Sequence, residues 1–133
     1  MLFRSYGVDL YVTGHEHFFA HMPKLTPFNG PDNLALVDPA YGIEGLIAGT
    51  GGAVLFPHPT VDPQIKKVDR GLKWAKYNEE VLANQWGVVR IDLSPGKYQW
   101  KFIPVNREPG RSYPAGDGVC HANPPGYKEP ALN

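Results

Sequence analysis

His15 and His17 stand one residue apart in Gly14-His15-Glu16-His17, directly after the apolar run Val8-Asp9-Leu10-Tyr11-Val12-Thr13. Neutral imidazole is the commonest protein ligand for transition metals, so two rings at the end of a strand form a donor pair of the kind metal chemistry uses. Spacing alone serves two readings, a pair of surface loop histidines or part of a metal site. Gly14 is expected to let the backbone turn sharply where the strand ends, bringing both rings to the lip of a sheet. Glu16, between them, is expected to point away from the pair on a strand-like backbone and to serve as an outer contact or face solvent.

Other residues could add to such a site. His21 follows His17 by four positions, but Phe18-Phe19-Ala20 running into Met22-Pro23 argues for extended chain or a short turn. His21 is a candidate substrate contact or a plain loop histidine. His58, between Pro57 and Pro59, either aims into a groove or sits on a surface loop. Thr50 lies in Gly49-Thr50-Gly51-Gly52. Glycine-rich loops can cradle phosphates through backbone amides, but this one lacks the lysine of a P-loop and no clear helix follows it. A tight turn with positive backbone angles near the histidines is the simpler expectation. Cys120-His121 is too little for a structural zinc site, and as the single cysteine Cys120 has no intrachain partner. Asp117 reads as a turn residue.

The segment from Tyr6 to His17 resembles the last metal-binding motif of the calcineurin-like metallophosphoesterases, a group that includes the purple acid phosphatases. Their motif is an apolar strand that begins near a Val-Asp pair and ends in Gly-His-x-His. Gly45-Leu46-Ile47-Ala48-Gly49-Thr50-Gly51-Gly52-Ala53 resembles the strand and glycine-rich turn that follow it. Trp86 to Leu93 with Tyr98 to Val105 resembles the closing hairpin of secreted phosphatase-like members, and Gly116 to His121 is similar to a short tail in some of them. By this resemblance His15 would ligate one metal and His17 another, the two ions drawn from iron, zinc and manganese. The activity implied is hydrolysis of phosphate esters, monoesters first, by metal-activated hydroxide. Family members also use Asp-x-His, Gly-Asp and Gly-Asn-His motifs. The first and last are absent here, and Gly116-Asp117 falls in the wrong order, after Gly-His-x-His. The aromatic-Glu-Arg sequence that many relatives carry after the motif is replaced by Phe19-Ala20-His21. The resemblance therefore implies a C-terminal portion, whose site is completed by the N-terminal half of the domain in the same or a separate chain. By itself the chain is expected to be inactive. The alternatives are a non-catalytic β-rich binding or assembly module and one half of a split enzyme.

Composition bounds the partners. The chain of 133 residues has a formal net charge of zero and no extended basic stretch, which argues against nucleic acid. No apolar run reaches the roughly 18 residues a membrane helix needs, and Met1 to Tyr6 lacks the order of a signal peptide. A secreted parent would carry its signal upstream, and Cys120 could then pair with an upstream cysteine.

The elements that must position these groups read as more strand than helix. Short apolar runs at 8–13 and 43–48 end at glycines. Residues 86–93 and 97–105 alternate, with Val89, Ile91 and Leu93 on one face of the first and Tyr98, Trp100 and Phe102 on one face of the second. Ser94-Pro95-Gly96 between them predicts a hairpin. Residues 73–83 are the best helix candidate, and Trp74, Tyr77, Trp86 and Trp100 suit packing better than a stacking platform. Glycine and proline cluster at 23–31, 57–63 and 104–130, which read as long irregular connections. The expected fold is α/β: the β-rich C-terminal half of a metallophosphoesterase-type sandwich of two mixed sheets flanked by helices, over residues 1–105, with a Gly/Pro-rich tail at 106–133.

Overall fold

A computed structural model describes residues 7–26, 35–56 and 79–121. Among the described residues seven strands form, in chain order: β1 (Leu10–Thr13), β2 (Phe19–Leu25), β3 (Ile43–Ala48), β4 (Glu80–Leu82), β5 (Gly87–Ser94), β6 (Lys97–Pro104) and β7 (Ala115–Val119). They make two sheets, ordered β1-β3-β2-β4 and β5-β6-β7. The first is mixed: β1 runs parallel to β3, while β2 is antiparallel to both β3 and β4. The second is antiparallel throughout. The described residues are thus β-rich and contain no helix.

Local chemistry accounts for most of these elements. The alternation in β5 and β6 pairs Val89 with Phe102 and Ile91 with Trp100, and the chain reverses at Pro95-Gly96 with Gly96 at φ 72°. Proline 23 has no N–H to give a ladder, and it falls where the β2–β3 register shifts, between Met22 and Leu25. Tyr98, Trp100 and Phe102 turn inward from β6 onto Phe19 of β2 and Leu46 of β3. These five residues are 0–3% exposed, and each large side chain so buried contributes about 1.5–3 kcal/mol. Phe19 meets both Trp100 and Phe102 in tilted ring contacts, with centroids 5.8 and 5.3 Å away. A second apolar cluster, Phe18, Ala20 and Ile47, is joined by Met22 and Val81.

Three sequence expectations need correction. The helix expected at 73–83 does not form over its described part, because Glu80–Leu82 pairs with Phe19–His21 as β4; residues 73–78, with Trp74 and Tyr77, lie outside the described residues. Three residues are too few to show a period, so pairing with β2 decides their state. The tail expected from residue 106 instead supplies β7, and Asp117 lies within it rather than at a turn. Glycine is what allows that strand. A Cβ at Gly116 would come within 2.8 Å of the Trp100 ring, and one at Gly118 within 2.2 Å of Tyr98. Finally, the second sheet is not mixed, and no flanking helix occurs among the described residues.

A carboxylate sits between the sheets. Glu44 of β3 is 6% exposed. Tyr98 donates its hydroxyl to Glu44 Oε2 at 2.5 Å, and Trp100 donates its indole N–H to Oε1 at 2.7 Å. His21 Nε2 lies 3.0 Å from the same Oε1. Burial alone would raise the Glu44 carboxyl, but the bonds from His21, Tyr98 and Trp100 and the charge of His21 together hold it below its ordinary value. Burial, reinforced by that carboxylate, pushes the Tyr98 phenol far above its ordinary value, so it stays a donor.

Removing the acceptor strands two buried donors, Tyr98 and Trp100, and the half-buried His21. Glu44→Ala is expected to cost about 3–5 kcal/mol in urea unfolding at pH 7. Since the folded carboxyl titrates below its ordinary value, its contribution is complete above about pH 4.3 and is lost as pH falls below that point. Unfolding midpoints of the wild type should therefore drop steeply over that acid range, and those of Glu44→Gln should change less.

Candidate metal-ligand loop

The loop from β1 to β2 is tightly wound. Glu16 N–H donates to Gly14 O at 3.0 Å, and Phe18 N–H donates to Glu16 O at 2.8 Å. Each bond skips one residue, so His15 and His17 are the centres of two successive γ-turns. His15 has φ 73°, the only non-glycine residue with positive φ among the described ones. Strain of this kind costs on the order of 1–3 kcal/mol and persists only where the surroundings enforce it. The expected sharp turn is present, but it falls on His15 and not on Gly14, where a Cβ would meet nothing within 4 Å.

The surroundings that enforce it come from the glycine-rich turn after β3. Gly49 N–H donates to Phe18 O at 3.2 Å, and Phe56 N–H donates to His17 O at 2.9 Å. A Cβ at Gly49 would lie 1.8 Å from Glu16 O, so only glycine lets the two loops touch. Thr50 is 1% exposed and donates its hydroxyl to Gly87 O at 2.8 Å, while Gly87 N–H returns a bond to Thr50 O at 3.1 Å. Trp86 adds an indole bond to Ala53 O at 2.9 Å. The loop against the histidines is thereby fastened to the start of β5 in the other sheet. Of the positive angles expected in this turn, Gly52 alone has one, at φ 143°.

His17 is held on two sides. Its Nδ1 lies 2.7 Å from Val54 O, and its ring stacks on Phe56 with centroids 4.1 Å apart. A carbonyl can only accept, so Nδ1 carries a proton, and in the neutral ring the lone pair is then on Nε2. Metal-binding histidines are typically oriented by such a second bond. His15 is exposed on the adjacent turn. The parallel strands β1 and β3 both end here, and open sheets with parallel strands gather their ligands at such carboxyl ends.

The remaining candidates are placed elsewhere. Glu16 contributes its backbone carbonyl, which takes the Phe18 bond and abuts Gly49. Thr50 spends its hydroxyl inside the protein, so it positions the loop and does not reach a substrate. His21 lies in β2 within the Glu44 network, not beside His15 and His17. His58 lies outside the described residues. Cys120 is exposed, and slight burial followed by the nearby Asp9 charge raises its thiol, which disfavours a thiolate nucleophile. Among the described residues no group of three or more His, Cys, Asp and Glu is arranged to hold a metal ion. The loop therefore offers two imidazoles, a fit for part of a metal site and not for a whole one. Sequence reasoning missed the Glu44 network; its one signal was a lone carboxylate inside the apolar run Ile43–Ala48. It also missed the pair formed by Asp9 and His121, where Asp9 Oδ1 accepts from the His121 backbone at 2.9 Å and also contacts its Nδ1.

Two proteins of Mycobacterium tuberculosis are similar to this chain: the uncharacterized protein MT2654 of strain CDC 1551 / Oshkosh and the uncharacterized protein Rv2577 of strain ATCC 25618 / H37Rv. Each is 30% identical over 125 residues, a match that takes in 72% of this chain. It spans only 23% of each relative's length. No family profile and no solved structure matches the chain.

If His15 is held in strain for its side chain, relieving that strain should not cost stability. His15→Gly is expected to leave urea stability unchanged or raise it by up to about 1 kcal/mol. His17→Ala, which loses the Val54 bond and the Phe56 contact, should lower it by about 1–2 kcal/mol.

Proposed function

We propose that His15 and His17 are ligands of a binuclear metal centre in a longer metallophosphoesterase of the calcineurin-like, purple acid phosphatase-like kind, and that this chain is the β-rich C-terminal part of that domain. The observation that carries this reading is the strained His15-Glu16-His17 loop, with His17 Nδ1 tied to Val54 O so that Nε2 is left to bind. Two features support it. The loop lies at the carboxyl ends of parallel strands, and its curated relatives extend well beyond the region they share with this chain. The flanking helices and the remaining metal motifs would come from the N-terminal half of the domain.

Two cations drawn from iron, zinc and manganese would supply charge stabilisation at phosphorus and a water acidic enough to serve as hydroxide near neutral pH. The chain's own share is to hold two neutral imidazoles at fixed angles. The γ-turns set those angles, Gly49 permits the close approach behind them, and Thr50 locks the supporting loop to β5. The substrate is a phosphate ester, with monoesters the first to test.

With only two imidazoles, the chain alone is expected to show no turnover of p-nitrophenyl phosphate in the presence of zinc, manganese or iron. The natural reading frame upstream should encode Asp-x-His, Gly-Asp and Gly-Asn-His segments. The longer polypeptide should hydrolyse the ester, with kcat/KM falling at least about a hundredfold in His15→Ala and in His17→Ala. Activity untouched by both substitutions would exclude the reading. A source frame that lacks those motifs would favour the split enzyme or the non-catalytic module.

A further inference from the structure

His21 is flanked by a carboxylate at each ring nitrogen. Its Nε2 lies 3.0 Å from Glu44 Oε1 and its Nδ1 lies 3.4 Å from Glu79 Oε2. The His21 side chain is 14% exposed and Glu79 is 55% exposed. A neutral imidazole has one N–H and can donate to only one of these groups. With that proton on Nε2, facing the buried Glu44, the Nδ1 lone pair confronts the Glu79 carboxylate. An imidazolium donates to both. Glu44 cannot relieve the conflict by taking up the proton itself, because Tyr98 and Trp100 already hold it as an anion.

The geometry points to His21 as a proton-operated clasp on β4. Glu79 is the residue before β4, and its backbone N–H donates to His21 O at 2.9 Å. That strand is only three residues long, and its described partners are Phe19, Ala20 and His21. A protonated His21 joins Glu44 of β3 to Glu79 and so fastens β4 to the centre of the sheet. Deprotonation repels the Glu79 side chain and leaves β4 held by its short ladder and the packing of Val81 and Leu82. The charged groups around the ring favour the clasped state in acid. Glu44 comes from β3, while Glu79 and Glu80 come from the β4 side, with Glu80 opposite His21 in register. Asp117 of β7 and Lys24 of β2 line the same cleft, and Lys24 gives its ammonium to Val119 O. Trp100 of β6 covers the ring, with centroids 4.9 Å apart. Lysine 24 is the one fixed cation among these groups. Since β4 pairs with the residues that leave the His17 turn, the clasp buttresses that turn more firmly as pH falls. This inference stands independently of the metal reading.

Amide hydrogen exchange and histidine NMR on the whole chain test it. The amides of Glu79 to Leu82 should be protected about three- to fivefold more at pH 5 than at pH 8, after correction for intrinsic rates, the scale expected of a half-exposed ion pair. The His21 ring should titrate over the same interval. Glu79→Gln keeps the exposed side chain's size and removes its charge, so it should fold normally and lose most of that pH dependence. Equal protection at the two pH values would overturn the clasp. So would an unchanged pH dependence in Glu79→Gln, or a His21 ring that holds one protonation state from pH 5 to 8.

Discussion

The Glu44 carboxylate lies between the sheets and takes the Tyr98 hydroxyl, the Trp100 indole N–H and the His21 imidazole at once. A buried ion is costly, and its worth lies less in net stability than in what it forbids. Aromatic side chains such as Tyr98, Trp100 and Phe102 could slide over Phe19 and Leu46 with modest loss. Two directional donors from β6, Tyr98 and Trp100, meeting one carboxylate that His21 of β2 also holds, admit a single alignment of β6 over β3. The rest of the molecule is hung on that alignment. It places the start of β5 where Gly87 can exchange bonds with Thr50, and it brings β7 down beside β6, where Gly116 and Gly118 leave room for the rings beneath.

From there the constraint passes to the histidines. Thr50 fastens the glycine-rich turn to the second sheet. Gly49 lets that turn touch the backbone at Glu16, and the contact braces the loop that holds His15 at a positive φ. The candidate ligands, in the loop from β1 to β2, thus sit at the far end of a chain of packing that starts at the buried Glu44 carboxylate of β3. A loop bent this tightly would relax if its supports were loose. The cost of keeping it is easiest to understand if the orientation of the two imidazoles matters.

What could be read from the sequence was local. The alternation of β5 and β6 and the turn between them need only neighbouring residues, and so does the strand leading to Gly-His-x-His. The missed features depend on distant partners. Glu80-Val81-Leu82 becomes a strand because Phe19–His21 accepts it. Ala115–Val119 reads as a glycine-rich tail until the rings of Tyr98 and Trp100 require a strand without side chains above them. The three donors to Glu44 come from residues 23, 54 and 56 positions away in sequence. For the candidate site, residue types singled out His15 and His17. The positive φ at His15, the Val54 bond and the interior use of Thr50 and His21 are tertiary facts that spacing could not supply.

Metal analysis of a purified longer protein that contains this chain tests most directly whether His15 and His17 hold metal. Elemental analysis should find about two ions of iron, zinc or manganese per chain in the wild type, the stoichiometry of a two-metal site, and a clear loss in the His15→Ala/His17→Ala double variant with folding retained. A wild-type protein free of bound metal, or a double variant that keeps the full complement, would contradict it.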